Sequence, residues 1–366
     1  MDQIDSAVLV PLLAFGLGGL LGATAQRTQF CTMGAISDVF FIGDWNRFRA
    51  WMLATATAIV GTQALVMADL VDLQESIYLS TNLGWAGAII GGLMFGFGMT
   101  LGGGCGNKTL VRLGAGNLKS LVVAMVLGIF AYMTLRGLIG VGRVQLEAMT
   151  VIDLASFEME SQGIPEFLMM LGLDADVARL ISVVLIGGGL LVFCFKSAAF
   201  RKSRADVAAG LIIGGLIVCA WFVTGFIGYD DFEPTPVASF SFVAPIAEGL
   251  QYLMTFTGAK INFGIAAVGG IIFGSFLSAK LAGEFRVESF VDAADMGRHL
   301  SGGALMGVGG VLALGCTIGQ GVSGMSTLAF GSLIALASII GGGVFGMKYL
   351  EEGSFKAVCA DLFSRS

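Results

Sequence analysis

Apolar residues in this chain recur neither at every second position nor at every third or fourth, but in stretches of about 20 residues separated by short polar segments. Runs of that length cross a hydrocarbon core of about 30 Å at about 1.5 Å per residue. The pattern predicts nine spans, at residues 7 to 26, 49 to 70, 83 to 102, 117 to 140, 177 to 195, 207 to 228, 258 to 282, 300 to 315 and 327 to 350. Residues 91–106 also lie over residues 302–317 at a constant offset of 211, Gly91 and Gly92 on Gly302 and Gly303, Cys105 on Cys316. The span count puts the two copies in opposite orientations. An all-α polytopic membrane protein in two inverted repeats is therefore expected: four spans in 1–140, a loop, a linking fifth span and a basic loop in 141–206, and four spans with a tail in 207–366.

Composition sharpens this. The chain is 56% apolar and only 13% charged, against about a quarter charged for soluble domains, which excludes a water-soluble enzyme. Fifty-six glycines against five prolines favour close helix packing and sharp turns at membrane depth. Lys196, Arg201, Lys202 and Arg204 follow the fifth span, while acidic residues collect at 69–75, 147–176 and 230–233. The excess of basic residues on the inner side of membranes then predicts a bacterial inner-membrane protein with a periplasmic amino terminus and a cytoplasmic carboxyl terminus, Arg47 and Arg49 lying on the cytoplasmic side. Residues 1–6 hold two aspartates and no basic residue, so the first span is expected to be retained rather than cleaved. The net charge of −6 sits in loops and gives no support for a nucleic-acid partner.

Three polar, glycine-containing stretches interrupt the apolar pattern around a cysteine: 26–34 with Cys31, 102–109 with Cys105, and 314–321 with Cys316. Irregular backbone at membrane depth must line a cavity or be buried in protein. Such re-entrant breaks aim helix N-termini, with their free N–H groups, at an anion. Lys108 and Arg112 add positive charge, which is costly inside a span and so reads as functional. A protonated thiol is a soft, weak donor that suits a sulfur atom better than a hard oxyanion and lets it go again. The expected path is therefore Cys31, Cys105 and Cys316. Gly104, Gly106, Gly315 and Gly319 would permit the turns, and Asn107 and Gln320 would donate hydrogen bonds.

Cys194, Cys219 and Cys359 lie in plain apolar or amphipathic surroundings and read as small buried hydrophobes. Met94, Met99, Met306 and Met325 read as helix packing. His299 is the only histidine, so neither a metal site, a cofactor nor a cysteine–histidine catalytic pair is expected; an interfacial place suits it. Asp38, Glu284, Arg286, Glu288, Asp292 and Asp295 are candidates for a coupling group, the last five reading more simply as a solvated loop. Beside transport of a small sulfur-containing anion stands a second class, a membrane thiol sulfurtransferase with a Cys105 persulfide.

Gln26-Arg27 and Phe30-Cys31 ahead of Asp38, Phe95-Gly96-Phe97-Gly98 leading to Gly103-Gly104-Cys105, then Arg112-Leu113-Gly114, Gly274-Ser275-Phe276 with Glu284-Phe285-Arg286-Val287, and Gly302-Gly303 with Met306-Gly307 leading to Gly315-Cys316-Thr317-Ile318-Gly319 follow in order. In these motifs the chain resembles, over nearly its whole length, the YeeE/YedE family of thiosulfate transporters. The resemblance implies that Cys31, Cys105 and Cys316 are relay cysteines handing thiosulfate along, with Cys105 most central. It also implies a link to sulfur uptake for cysteine synthesis, to sulfur oxidation or to selenium metabolism; beside the anion and the lipid bilayer, a cytoplasmic sulfur-carrier protein is a candidate partner left open by the residues. Asn107-Lys108 and Ala313-Leu314 depart from the family pattern.

Overall fold

The computed structural model describes residues 6–230 and 235–354. It is a helical bundle, its helices being α1 (Ser6–Thr28), α2 (Thr32–Ser37), α3 (Asn46–Met67), α4 (Trp85–Leu101), α5 (Gly106–Gly114), α6 (Leu118–Leu135), α7 (Leu138–Thr150), α8 (Ile164–Met169), α9 (Ala175–Ser182), α10 (Gly189–Phe195), α11 (Ala198–Lys202), α12 (Arg204–Phe222), α13 (Val243–Met254), α14 (Phe263–Leu281), α15 (Ala293–Leu312) and α16 (Phe330–Glu352). A two-residue antiparallel pairing of Asn82–Leu83 with Ile152–Asp153 joins two loops at one end of the bundle. The other end carries Lys196 to Arg204 and is called the basic end below.

Eight segments are long and apolar enough to cross a membrane: α1–α2, α3, α4–α5, α6, α9–α10, α12, α14 and α16. The chain is a multi-pass membrane protein. The span expected at 300 to 315 lies in α15, whose opening turns carry Asp295, Arg298 and His299. That polar start keeps α15 out of the eight, although it packs along both α4 and α6. The span expected at 117 to 140 stops at Leu135, because the chain breaks at Arg136 and Gly137 and Arg143 of α7 donates to the freed Thr134 carbonyl (3.1 Å). Two short helices, α2 and α13, lie outside the nine expected spans.

Packing runs through parallel helix pairs: α1 beside α14, α3 beside α12, α4 beside α16 and α6 beside α15, with α4 and α15 antiparallel between them. Small residues allow the approach. A Cβ on Gly274 would overlap the Gly19 carbonyl of α1, and one on Gly96 would overlap the Ile339 carbonyl of α16. Exchanging α1 with α12, α3 with α14, α4 with α15 and α6 with α16 maps these pairs onto one another, as an inverted repeat requires. The same exchange carries α2, which packs on α3 and α16, onto α13, which packs on α14 and α6.

Candidate functional site

One backbone device builds all three cysteine sites. α1 ends with Gln29 in the left-handed region (φ 52°) and a bond from the Phe30 N–H to the Ala25 carbonyl (3.2 Å). α4 ends with Gly103 at φ 70° and Gly104 N–H on Met99 (2.9 Å), and α15 with Leu314 at φ 56° and Gly315 N–H on Gly310 (2.7 Å). Each is a helix stop in which a left-handed residue folds the next N–H back onto the last turn. The residue that follows is Cys31, Cys105 or Cys316, and it opens the next helix: α2, α5, or the helical stretch 317–326 with its wide turn at Gly319–Gly324. Such wide turns cluster at functional sites. The left-handed positions are thus Gln29, Gly103 and Leu314, not Gly104, Gly106, Gly315 or Gly319. Of those four, Gly319 serves close approach, since a Cβ there would press on the Ser241 hydroxyl at 2.7 Å.

The thiols sit among helix N-termini. Cys31 Sγ accepts from the Gly34 N–H (3.5 Å) and Cys316 Sγ from the Gly319 N–H (3.3 Å). Cys105 has Cys31 and Cys316 as electrostatic neighbours. It faces the Thr317 hydroxyl, which is buried and otherwise without a hydrogen-bond partner. Cys105 and Cys316 are 1% and 0% exposed, Cys31 9%. A fourth helix start joins them. Phe242 opens α13, its Cβ 3.6 Å from where a Cβ on Gly106 would lie, and the repeat offset of 211 carries Cys31 onto Phe242.

Two cavities flank this centre. One lies at the end opposite the basic cluster and is lined by Tyr78, Gln162, Leu314, Gln320, Gly331 and Ser332 among others. The Gln320 amide oxygen and the Ser332 hydroxyl are buried there without partners, and burial raises the Tyr78 hydroxyl above its usual pKa, so it stays neutral. The second lies at the basic end and is lined by Thr28, Phe30, Cys31, Arg47, Trp51 and Asp206 among others.

Lys108 is buried beside Cys105, its ammonium donating to the Gln29 amide oxygen (2.6 Å). Arg112 is exposed and donates to the Gly103 carbonyl (2.7 Å), bracing the turn before Cys105. Asn107 is buried with its amide oxygen unpartnered, and the Gln320 amide donates to the Ala313 carbonyl. Sequence reasoning used Arg47 only for orientation and gave Thr317 and Phe242 no role. Arg47 was findable from the polar stretch it packs against; Phe242 was findable from the repeat offset.

The remaining candidates have structural partners. Asp38 pairs with Arg47 (2.9 Å), Glu284 accepts from Gln26 (3.2 Å), Glu288 from Asn117 (2.7 Å), and the Arg286 N–H bonds the Ala115 carbonyl (3.1 Å). Asp292 caps α15, and Asp295 binds Lys119, Arg298 and His299. Met99, Met306 and Met325 are buried in packing, and Met94 is half-buried. Cys194 is buried and its thiol donates to the Arg49 carbonyl (3.3 Å). Cys219, expected to be buried, is exposed on α12, on a face that no helix among the described residues covers. Cys359 lies outside the described residues.

Residues 27–345 match the model of a family described as sulphur transport. The chain is 29% identical over 316 residues to the thiosulfate transporter TsuA of Escherichia coli (strain K12), covering 83% of this chain and 84% of that protein. It is 27% identical over 328 residues to the thiosulfate transporter TsuA of Spirochaeta thermophila, covering 83% and 88%. A shorter match, 30% over 102 residues, is to the probable transporter YedE of Escherichia coli (strain K12), covering 27% of this chain and 23% of that protein.

Proposed function

The chain belongs to the sulphur transport family, and we propose that it imports thiosulfate across the bacterial inner membrane along Cys316, Cys105 and Cys31. The observation that carries the proposal is the set of three protonatable thiols, each at a helix start, between two cavities at opposite ends of the bundle. The two halves, 1–140 and 207–366, form the inverted repeats around this path, joined by 141–206. The positive-inside rule makes the basic end cytoplasmic and the amino terminus periplasmic. The anion then enters at the cavity of Gln320 and Ser332, where the unpartnered Ser332 hydroxyl can donate to it, and leaves at the cavity of Cys31, where a cytoplasmic sulfur carrier would collect it.

Each step is a hand-over between weak sites, as rapid passage requires. Helix N-terminal N–H groups and Lys108 offset the charge of the dianion while it is out of water. The S–H groups donate to its terminal sulfur. Asn107 and Gln320 stand beside the two central thiols, Gly319 keeps the backbone close to Ser241, and Arg112 braces the loop, with Gly104, Gly106 and Gly315 on either side of the thiols.

Uptake of radiolabelled thiosulfate into proteoliposomes tests this. A hydrogen bond to a charged group contributes about 1.5–3 kcal/mol, so Cys105→Ala, folded as judged by its melting temperature, is expected to lower uptake about tenfold or more. Native protein that takes up no thiosulfate, or a variant that matches it, would overturn the assignment.

A further inference from the structure

The cavity at Cys31 holds a cation that the thiol path does not explain. Arg47 lines it together with Cys31 and Trp51. One guanidinium nitrogen donates to Asp38 (2.9 Å) and another to the Gln29 carbonyl (2.9 Å), with the Arg47 and Asp38 side chains 34% and 20% exposed. A guanidinium has five N–H donors, so these two bonds leave others to give. Gly34 makes the room: a Cβ there would overlap the Arg47 guanidinium, which therefore lies against the first turn of α2, the turn that also bonds the Cys31 sulfur. Trp51 is buried, and its indole N–H has no partner. Gln29 ties this cation to the centre, since its amide oxygen takes Lys108 while its backbone carbonyl takes Arg47.

We propose that Arg47 and Trp51 hold the oxygen end of the anion in the Cys31 cavity and that Asp38 competes with the anion for Arg47, so that the pair sets how readily substrate is released. This rests on the transport reading and extends it to the chemistry of the exit. A guanidinium grips two oxygens of a tetrahedral anion at once. Left unopposed beside a thiol, it would hold a dianion too long for turnover. The Asp38 carboxylate neutralises Arg47 when the cavity is empty and reclaims it as the anion departs. No bond is made or broken.

Initial rates of thiosulfate uptake over a range of concentrations, in proteoliposomes oriented by sidedness, test the proposal with Arg47→Gln, Arg47→Lys, Trp51→Phe and Asp38→Asn. Arg47→Gln is expected to raise KM about tenfold or more, since it removes a charge-assisted pair; Arg47→Lys should fall between it and the native chain. Asp38→Asn should move KM the other way and lower the maximal rate. Trp51→Phe should raise KM a few-fold with the melting temperature unchanged, because its N–H binds nothing in the protein. A purely structural bridge predicts instead that Arg47→Gln and Asp38→Asn lower the melting temperature and uptake together with KM unmoved, and that result overturns the proposal. Should Arg47→Gln not fold, the opposed KM shifts of Arg47→Lys and Asp38→Asn decide it. Absence of uptake by the native chain would defeat the transport assignment itself, which is a separate outcome.

Discussion

Thr317 separates a transport role from a folding role at single-residue resolution. Its hydroxyl is buried, faces Cys105 and has no other partner. Replacing an unsatisfied buried polar group by an apolar one of the same shape is close to neutral for stability. Thr317→Val is therefore expected to leave the melting temperature unchanged or slightly raised while lowering thiosulfate uptake several-fold; a loss of stability without a loss of uptake would make the hydroxyl a packing feature. Asp295 carries the complementary case, a group with a stabilising role away from the path. The hydrogen bond from Lys119, with help from the Val291 N–H, His299 and Arg298, holds its carboxyl at about 2. The unfolded value is about 3.9, so the contribution is complete above about pH 4 and drains away as pH falls through 2. The melting temperature of the native chain should exceed that of Asp295→Asn at pH 6, and the gap should close towards pH 2. A gap independent of pH would contradict the ion-pair account.

Helix ends are the elements that make the site, and they explain what was legible in the sequence. The break around Cys105 could be read from Gly103 and Gly104, because glycine enters the left-handed region at no steric cost. Those at Gln29 and Leu314 could be located only by their polar surroundings, since neither residue type signals a left-handed turn. For Leu314 the conformation costs about 1–2 kcal/mol, and its side chain is 46% exposed, so little packing is lost with it. Leu314→Gly should therefore raise the melting temperature, whereas Gly103→Ala should lower stability by about 1 kcal/mol or more, with its Cβ pressed on Arg112 at 3.2 Å. Equal stability of both variants with the native chain would show that these turns are not strained. The short helices α2 and α13 escaped sequence reading for a related reason. α2 is six residues long, too short for a hydrophobic period to stand out from a loop, and α13, at twelve, is too short to cross a membrane and so fell outside a pattern read by span length.

At the scale of the whole molecule, the membrane class and helical architecture were readable because hydrophobic length is set by the bilayer and not by any partner. Packing decided the rest. α15 opens with Asp295, Arg298 and His299 and still runs between α4 and α6, a placement that apolarity alone does not predict. Arg47 lies far from Cys105 in sequence and reaches the path only because α3 starts beside the turn at Gln29. The fourth helix start, carrying Phe242 where the other half has Cys31, makes the two halves chemically unequal.

Central to this account is passage of the intact anion along thiols that never bond to it. Thiosulfate labelled separately on its terminal and its central sulfur tests this most directly, with both labels followed into proteoliposomes bearing the native chain. Transport predicts that the two labels enter in equal amounts and that no label stays on the protein. Entry or retention of the terminal sulfur alone, with the central sulfur left outside, would contradict it and make Cys105 a covalent sulfur acceptor.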